Sequence, residues 1–257
     1  TYNFKEIVDA HQGRELVFSH QPFDHPLVIA YSSGTTGLPK PIIHRAGGVL
    51  LQHFKEHQLH ADLQPGDRFF FFTTCGWMMW NWLVTGLASG VTLVLYDGSP
   101  FAREGNVLLD MIEAESIRIF GVGAKYLQAL QKRGISPKKN RDFSSLDTIL
   151  STGSPLNDES YDFVYDHFKS DIHLASISGG TDILSCFVGG VPTLPVRRGE
   201  IQAPGLGMDV QVWSSAGNRV FDEQGELVCC SPFPTVPLGF WGDDSGERFR
   251  NTYFSEF

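Results

Sequence analysis

Cysteines are scarce in this sequence, which argues against a secreted fold held together by disulfides. Only 4 occur among 257 residues, and they show neither C-x-x-C spacing nor the regular spacing of a disulfide framework. The first eight residues contain a lysine and a glutamate and lack the apolar core of a signal peptide. We therefore expect a protein of the reducing cytoplasm.

Basic residues are also in short supply. The chain has 20 lysines and arginines against 29 aspartates and glutamates, which gives a formal net charge of −9. A surface that binds nucleic acid needs a clustered basic face, so we expect no nucleic-acid partner. The hydrophobic share of 42% and the charged share of 19% are those of an ordinary globular protein with a large core.

The chain has no uninterrupted apolar segment of membrane-spanning length. Residues 69–96 carry no charged side chain and exceed the ~18 residues that a membrane-spanning helix needs, but glycine, serine, threonine and asparagine interrupt them throughout. They divide more naturally into buried strands at 69–74 and 91–96 with a short helix at 81–88 between them. We predict no membrane span.

Short apolar segments alternate with amphipathic ones over most of the chain, which is typical of a parallel sheet covered by helices. The predicted strands are 27–31, 69–74, 91–96, 117–122, 146–151 and 172–177, and the predicted helices include 106–114, 125–133 and 158–168. After about residue 191, proline, glycine and short alternating stretches favour β-structure, with strands at 209–213 and 225–229 and turns at 203–205 and 215–218. The predicted fold is a layered α/β core with a parallel sheet (1–190), followed by an incomplete β-rich part (191–257).

The segment YSSGTTGLPKP at 31–41 follows the first predicted strand and combines hydroxyls, glycines and one lysine. It is not the P-loop G-x-x-x-x-G-K-[ST], because its glycines have a different spacing and the residues after Lys40 are typical of a strand. Flexible glycines and a lysine beside several hydroxyls suit the binding of a polyphosphate. The same composition also occurs in a plain solvated turn, so composition alone leaves both interpretations open.

The residues YSSGTTGLPK at 31–40 resemble the phosphate loop of the adenylate-forming superfamily, which contains acyl-CoA synthetases, luciferases and peptide-synthetase adenylation domains. Three further segments are similar to motifs of that family in the same order: STGSPL at 151–156 to its adenine-side turn, SGGTD at 178–182 to its segment ending in Thr-Glu, and GEL at 225–227 to a later strand. The segment CGWMMWNW at 75–82, with YDGSP at 96–100, is similar in particular to the acetoacetate–CoA ligases of the superfamily. The resemblance extends from about residue 26 over nearly the whole chain.

The resemblance implies an enzyme with an adenylating step. A carboxylate attacks the α-phosphorus of ATP, and the thiol of coenzyme A then displaces AMP from the acyl-adenylate. The implied partners are ATP, Mg²⁺, coenzyme A and a small carboxylic acid, with acetoacetate as that acid. A short-chain ligase for acetate, propionate or butyrate is the alternative within this class, and a non-catalytic nucleotide-binding module is the alternative outside it. The oligomeric state stays open.

The resemblance also implies roles for individual residues. Lys40, Thr181 and Asp182 are the implied catalytic residues, and Asp182 is the implied Mg²⁺ ligand. The implied nucleotide-binding residues are Ser32, Ser33, Gly34, Thr35, Thr36, Gly37, Lys40, Gly153, Ser154, Pro155, Gly180 and Thr181. The implied walls of the acyl pocket are Trp77, Met78, Met79 and Gly179.

Three departures from the family pattern bear on this hypothesis. Asp182 stands where the family usually has glutamate, but aspartate is still a hard oxygen ligand of the kind that Mg²⁺ prefers. Gly179 stands where the related acetyl-CoA synthetases have a bulky aromatic, which implies room for a longer acid. The family's ribose-binding motif and its small C-terminal domain with a catalytic lysine have no counterpart in the sequence, so we interpret the chain as a fragment of the family's large N-terminal domain.

A competing pattern is HFKEH at 53–57, which matches the zinc-peptidase pattern H-x-x-E-H, with His60 as a candidate third ligand. Patterns this short often arise by chance. We expect instead a helix that buries Leu50, Leu51 and Phe54 and leaves the two histidines of the pattern at the surface.

Overall fold

A computed structural model describes residues 3–32 and 39–257. Its helices are α1 (Phe4–His11), α2 (Ala46–Lys55), α3 (Met79–Thr85), α4 (Val107–Ala114), α5 (Ala124–Lys132), α6 (Asp158–His167) and α7 (Glu247–Tyr253). Its strands are β1 (Pro26–Ser32), β2 (Lys40–Arg45), β3 (Arg68–Phe71), β4 (Thr92–Val94), β5 (Ile119–Gly123), β6 (Thr148–Thr152), β7 (His173–Ser176), β8 (Ser178–Gly180), β9 (Ser185–Gly189), β10 (Ala203–Pro204), β11 (Val210–Trp213), β12 (Glu226–Cys229) and β13 (Gly239–Phe240). A π-helical turn (Glu56–His60) extends α2, a 3₁₀ turn (Gly86–Ser89) extends α3, and another 3₁₀ turn (Arg103–Gly105) precedes α4. In these described ranges, no helix combines the length and the apolarity needed to cross a bilayer.

Five parallel strands form the central sheet, in the order β4-β3-β5-β6-β7. Phe69 and Phe71 of β3 pack with Trp82 on one face of the sheet. Phe70 points to the other face, where its ring stacks on that of Phe120 at 5.4 Å. Helices cover both faces, which is why these strands are continuous apolar stretches. The prediction of an α/β core around a parallel sheet is confirmed.

The chain changes its direction across the sheet after β3. From β3 it moves outward to β4, and it then crosses to β5 on the other side of β3. Such a switch point opens a crevice beyond the carboxyl ends of the strands, which is where ligands bind in α/β sheets of this type. The segments that follow β3, β6 and β7 all meet at this edge.

The first predicted strand exists, but it does not belong to the parallel sheet. β1 pairs antiparallel with β2, and β2 pairs with β13 in a separate three-stranded sheet. The reason is connection length, because only residues 33–39 separate β1 from β2, whereas a parallel neighbour needs a crossover of about a dozen residues or more. The inclusion of residues 27–31 in the parallel sheet was therefore wrong. The antiparallel pairing instead places Ser32 opposite Lys40.

Short antiparallel pairs make up much of the chain after β7. β8, β9 and β10 form one sheet and β11 and β12 form a hairpin, which confirms the predicted strands at 209–213 and 225–229. The predicted turn at 203–205 was wrong in position, because Ala203 and Pro204 form β10 on the edge of its sheet, where proline is tolerated. The turn follows at Leu206 and Gly207. The division of the chain at residue 190 stays a prediction.

Helix α2 and its π-helical extension bury a polar face and expose an apolar one. Leu51 is 54% exposed, and Leu50 and Phe54 are exposed as well. Val49 is the apolar side chain of α2 that is buried, and the buried polar side chains, which we call the polar stripe, are Gln52, His53, Glu56, His57 and His60. The expectation that the leucines and the phenylalanine are buried and the histidines exposed was wrong. The physical reason is that polar partners from other elements face every member of the polar stripe except His57. The His57 ring packs against that of Trp82 instead.

Candidate functional site

A cavity of about 110 Å³ lies at the carboxyl-end edge of the central sheet. Many of the residues singled out from the sequence line it, namely Trp77, Met78, Met79, Gly153, Gly179, Gly180 and Thr181. The folded chain thus brings the predicted acyl-pocket residues together with part of the predicted nucleotide site. Other lining residues were not predicted, and these include Glu56, Trp82, Ser185 and Cys186.

The turn after β3 forms an apolar wall of the cavity. Trp77 and Met78 lie in this turn, and Met79 begins α3. The Trp77 ring meets the Phe71 ring edge to face, with 5.9 Å between the ring centres, so the core holds the indole in place. A large ring and adaptable methionine side chains suit contact with an acyl chain.

The turn after β6 approaches this wall from the neighbouring strand. Gly153 has a φ of +84°, which glycine adopts without strain, and a Cβ at this position would lie 3.4 Å from the Trp77 ring. Ser154 and Pro155 continue the turn without lining the cavity. Of the predicted adenine-side residues, Gly153 is therefore the one that the structure places in the cavity wall.

Gly179 lies in the cavity wall, and the structure gives a different reason for a glycine here from the one that the family resemblance implied. It pairs with Cys186 between β8 and β9, and a Cβ at Gly179 would lie 2.1 Å from the Ser185 carbonyl oxygen and 2.4 Å from the Cys186 Cα. The close approach of these two strands therefore requires glycine. An aromatic side chain at this position would need a different pairing of β8 with β9, so Gly179 is weaker support for a longer acid than the resemblance implied.

Lys40 and Asp182 form an ion pair next to the cavity wall. The Lys40 Nζ donates to Asp182 Oδ1 at 2.5 Å, and the Tyr253 hydroxyl donates to the same oxygen at 2.6 Å. The Lys40 Nζ also lies 5.2 Å from the centre of the Tyr253 ring. Because Asp182 directly follows Thr181 of the cavity wall, the three predicted catalytic residues are brought together.

The hydrogen bonds around Asp182 determine which of the neighbouring groups is ionised. Burial would raise the pKa of Asp182, but the hydrogen bonds from Lys40 and Tyr253 outweigh burial and hold that pKa below its usual value. Burial and the neighbouring carboxylate raise the pKa of the Tyr253 hydroxyl. At neutral pH the carboxylate is therefore ionised and the phenol is neutral.

His44, which belongs to none of the motifs in the sequence, holds the backbone of Thr181. The His44 Nε2 lies 2.9 Å from the Thr181 carbonyl oxygen, and because a carbonyl only accepts hydrogen bonds, Nε2 carries the proton. Burial lowers the pKa of His44 to about 4 in spite of that hydrogen bond, so the ring is neutral at neutral pH. Its place on the buried side of β2, two residues from Ile42, is the local signal that would have pointed to it.

The residues of the zinc-peptidase pattern contact other parts of the protein, through hydrogen bonds at His53 and Glu56 and through ring packing at His57. Both ring nitrogens of His53 are engaged, one with the Thr85 hydroxyl at 2.9 Å and the other with the Leu184 carbonyl at 2.5 Å. Glu56 accepts from the Trp82 indole N–H at 2.8 Å. The part of the chain that the structure describes contains no group of three or more side chains placed to hold a metal ion. The His57 ring meets the Trp82 ring edge to face, with 4.4 Å between the ring centres.

Asp182 meets the chemical requirement for a Mg²⁺ ligand. This ion is commonly held by one or two carboxylates together with substrate phosphates and water, so one ionised carboxylate is sufficient from the protein side. The hydrogen bonds from Lys40 and Tyr253 both reach Oδ1, so a metal at Oδ2 would require neither of them to break.

Most of the predicted phosphate loop lies outside the described residues. The predicted residues in that part are Ser33, Gly34, Thr35, Thr36 and Gly37, and their roles stay predictions. On the described flanks, Ser32 ends β1 and Lys40 begins β2. A strand after the lysine confirms that this segment is not a P-loop, whose lysine opens a helix.

The chain is similar to known proteins over nearly its whole length. The family model described as AMP-binding enzyme matches residues 4–241. The chain is 56% identical over 252 residues to acetoacetyl-coenzyme A synthetase of Rhizobium meliloti (strain 1021), with 98% of this chain and 39% of that protein covered. It is 53% identical over 246 residues to acetoacetyl-CoA synthetase of Gallus gallus, with 96% of this chain and 37% of that protein covered.

A solved structure gives the same comparison in three dimensions. Acetoacetyl-CoA synthetase from Streptomyces lividans matches with a TM-score of 0.90 and 48% identity, covering 95% of this chain and 38% of its own length. The chain therefore spans less than two fifths of the length of each of these three proteins.

Proposed function

Because the chain belongs to the AMP-binding enzyme family, we propose that the complete protein is an ATP-dependent acid–CoA ligase whose acid is acetoacetate. It converts acetoacetate, ATP and coenzyme A to acetoacetyl-CoA, AMP and pyrophosphate. Two relatives named acetoacetyl-CoA synthetase, at 56% and 53% identity, support this substrate. Since the chain covers only 39% of the length of the Rhizobium meliloti protein, the activity is proposed for the complete protein and not for this chain alone.

The observation that carries the proposal is the convergence of three strand-end segments on one cavity. Residues 77–79, 153 and 179–181 all line it. Asp182, which pairs with Lys40, directly follows the last of these segments. We infer that the acyl chain lies against the apolar wall at 77–79, with its carboxylate toward Thr181.

The first chemical step needs positive charge and hydrogen-bond donors more than it needs a protein nucleophile. As the acid's carboxylate oxygen bonds to the α-phosphorus, the bond to pyrophosphate breaks and negative charge builds on the phosphoryl oxygens. Donors that are already in position lower such a barrier most effectively. Lys40 supplies the charge, Thr181 supplies a hydroxyl, and the hydrogen bond from His44 holds the Thr181 backbone.

Asp182 is the residue that we propose to hold Mg²⁺ beside the phosphates of ATP. When bound, this ion neutralises charge on the pyrophosphate leaving group. The hydrogen bonds from Lys40 and Tyr253 orient the Asp182 carboxylate, so the ligand is positioned by the protein and not by the metal.

The remaining nucleotide contacts are proposed from the position of two segments. The turn that starts at Gly153 would border the adenine, with Ser154 and Pro155 continuing it. The segment at 33–38 lies outside the described residues, and the family resemblance is what supports its binding of the β- and γ-phosphates. The residues that flank it on the described side, Ser32 and Lys40, lie opposite each other in the β1–β2 pair.

ATP–pyrophosphate exchange by the complete protein tests the proposal. The acids are acetoacetate, acetate, propionate and butyrate, and the variants are Lys40→Ala and, as a matched control, Lys132→Ala, which changes an exposed lysine on α5. We expect acetoacetate to give the highest kcat/KM, Lys40→Ala to abolish exchange and Lys132→Ala to leave it unchanged. Faster exchange with acetate, propionate or butyrate would identify a short-chain ligase instead. ATP binding without exchange for any acid would favour a non-catalytic nucleotide-binding module.

A further inference from the structure

Glu56 brings a carboxylate to the wall of the cavity. The other described residues that line it have apolar, aromatic, hydroxyl or thiol side chains or are glycines. Glu56 comes from the π-helical turn after α2, and its side chain is only 1% exposed. The proposed adenylation chemistry does not use it. A buried carboxylate on the wall of a substrate cavity therefore suggests a role in choosing the substrate.

Three hydrogen bonds hold the Glu56 carboxylate. Oε1 accepts from the Gln52 amide at 3.1 Å and from the Ser185 hydroxyl. Oε2 accepts from the Trp82 indole N–H at 2.8 Å, and the Lys55 ammonium lies 3.7 Å from Oε1. Indole and amide N–H groups only donate, so both carboxylate oxygens of Glu56 act as acceptors here, beside the Lys55 ammonium.

Glu56 lies on the side of the cavity that borders the interior of the central sheet. It also lines a second void of about 10 Å³, whose walls include Leu150 and Ala175 from the interiors of β6 and β7. Thr181 lines the same cavity and directly precedes Asp182 of the ion pair. In the arrangement that we propose, the acid lies in this cavity with its carboxylate toward Thr181 and its distal group toward Glu56.

We propose that Glu56 is a specificity-determining residue that excludes acids with a second carboxylate. Its negative charge repels an anionic distal group and tolerates an uncharged one, such as the acetyl group of acetoacetate. The inference rests on the proposed function, because it requires this cavity to hold the acyl chain. It extends that function by naming the class of acid that the enzyme rejects, the short dicarboxylates.

Malonate and butyrate make this inference measurable, because each differs from acetoacetate at one position. Malonate replaces the terminal methyl group by an anionic oxygen, so it has the same number of non-hydrogen atoms and one more charge. Butyrate replaces the keto oxygen by two hydrogens and has no distal charge. Two like charges ~5 Å apart at an effective dielectric constant of ~20 repel strongly enough to change kcat/KM on the order of 100-fold.

The test is kcat/KM for these three acids in ATP–pyrophosphate exchange by the complete protein. Unchanged protein should use malonate about 100-fold less well than acetoacetate. Glu56→Gln keeps the shape and one acceptor oxygen but removes the charge, so the malonate-to-acetoacetate ratio should rise by about 10- to 100-fold while the butyrate-to-acetoacetate ratio stays constant. If Glu56 had a purely structural role, Glu56→Gln would lower kcat/KM for all three acids by the same factor. That result would overturn the proposal. Glu159→Gln, at an exposed position on α6, is the matched control.

Lys55→Met should have the opposite effect to Glu56→Gln, because it leaves the negative charge of Glu56 without its neighbouring positive charge. This variant keeps an apolar stem and removes the ammonium beside Glu56, so the malonate-to-acetoacetate ratio should fall further. Where malonate turnover is too slow to measure, the inhibition constant of malonate against acetoacetate-dependent exchange reports malonate binding instead, and that constant should rise in this variant. A rise in the ratio would contradict the proposal, and this result holds even if Glu56→Gln does not fold.

The unchanged protein alone separates failure of the inference from failure of the proposed function. If acetoacetate supports exchange and malonate supports it equally well, the charge of Glu56 does not select the acid and the inference alone is overturned. If no acid supports exchange, the proposed function fails and the inference fails with it.

Discussion

The substitutions Gly179→Ala and Gly180→Ala add the same methyl group to neighbouring residues with very different surroundings. Both glycines belong to β8, both line the cavity, and neither has a positive φ. A Cβ at Gly179 would lie 2.1 Å from the Ser185 carbonyl oxygen, whereas a Cβ at Gly180 would have no other atom within 4 Å. We therefore expect the first substitution to destabilise the protein and the second to be tolerated.

The size of the overlap gives the expected magnitude. Real Cβ atoms essentially never approach other atoms closer than 3.0 Å, so β9 would have to move by about 1 Å to accommodate alanine at Gly179. Overpacking of this kind costs ~1–3 kcal/mol, and weakened hydrogen bonds between β8 and β9 add ~1 kcal/mol each. Gly179→Ala should lower the free energy of unfolding by about 3 kcal/mol. Gly180→Ala should change it by less than ~1 kcal/mol, since alanine also restricts the unfolded chain.

Urea unfolding followed by tryptophan fluorescence measures both variants against the unchanged protein. Equal unfolding free energies for the two variants would refute the reasoning, because they would show that β9 does not crowd Gly179. The expected result also shows which glycine should be replaced to test the length of acid that the cavity accepts. A large residue at Gly179 would disturb β8 and β9 as a whole, whereas Gly180→Leu should shift the kcat/KM ratio from acetoacetate toward acetate with the hairpin intact.

Three other substitutions test the charges at the site and in the core. Lys40→Met should lower ATP–pyrophosphate exchange by at least ~100-fold with little loss of stability, because it removes a charge-assisted contact to phosphate; an unchanged rate in a folded variant would exclude that role. Asp182→Asn keeps the shape and removes the charge that Mg²⁺ prefers, so the Mg²⁺ concentration for half-maximal exchange should rise, and an unmoved midpoint would exclude Asp182 as the ligand. Burial lowers the pKa of His57 from 6.5 to about 3. Between pH 6.5 and about pH 3 the unfolded chain therefore binds a proton at His57 that the folded protein does not bind, and the free energy of unfolding should fall as the pH falls. At about pH 5 the His57 share is about 2 kcal/mol, and His57→Phe should give a flatter pH profile of urea unfolding than the unchanged protein; equal profiles would contradict this origin.

Local patterns in the sequence were enough to predict most of the elements. Apolar stretches between amphipathic ones predicted the five strands of the central sheet, and the extended residues after Lys40 excluded a P-loop. These signals lie within a window of ~10 residues, so they do not depend on the rest of the fold. The family resemblance also rested on contiguous motifs, and the family match over residues 4–241 confirmed it.

The partners of each element were harder to predict. The composition of residues 27–31 indicates a strand but not its neighbour, so the pairing of β1 with β2 was missed. The leucines of α2 were expected to be buried because apolar side chains usually are. In the structure His53 is buried instead, because Thr85 and Leu184 offer it hydrogen bonds from distant parts of the chain.

The site shows the same division between local and tertiary information. Motifs pointed to Lys40, Thr181 and Asp182, but the residues that position them carry no motif. His44 contacts Thr181 across 137 residues of sequence, and Tyr253 contacts Asp182 across 71. No periodicity or spacing in the sequence encodes such pairs, so they were not predicted.

Residue types and their spacing determined which chemical groups this chain carries and which local structure each segment adopts. Only the tertiary structure decided which of those groups meet. The requirement for glycine at Gly179 comes from the Ser185 carbonyl on the neighbouring strand. The carboxylate on the cavity wall comes from Glu56, which is 129 residues from Ser185 in the sequence. Hydrogen bonds and van der Waals contacts act over a few ångströms, and distances of that size between remote residues exist only once the whole chain has packed.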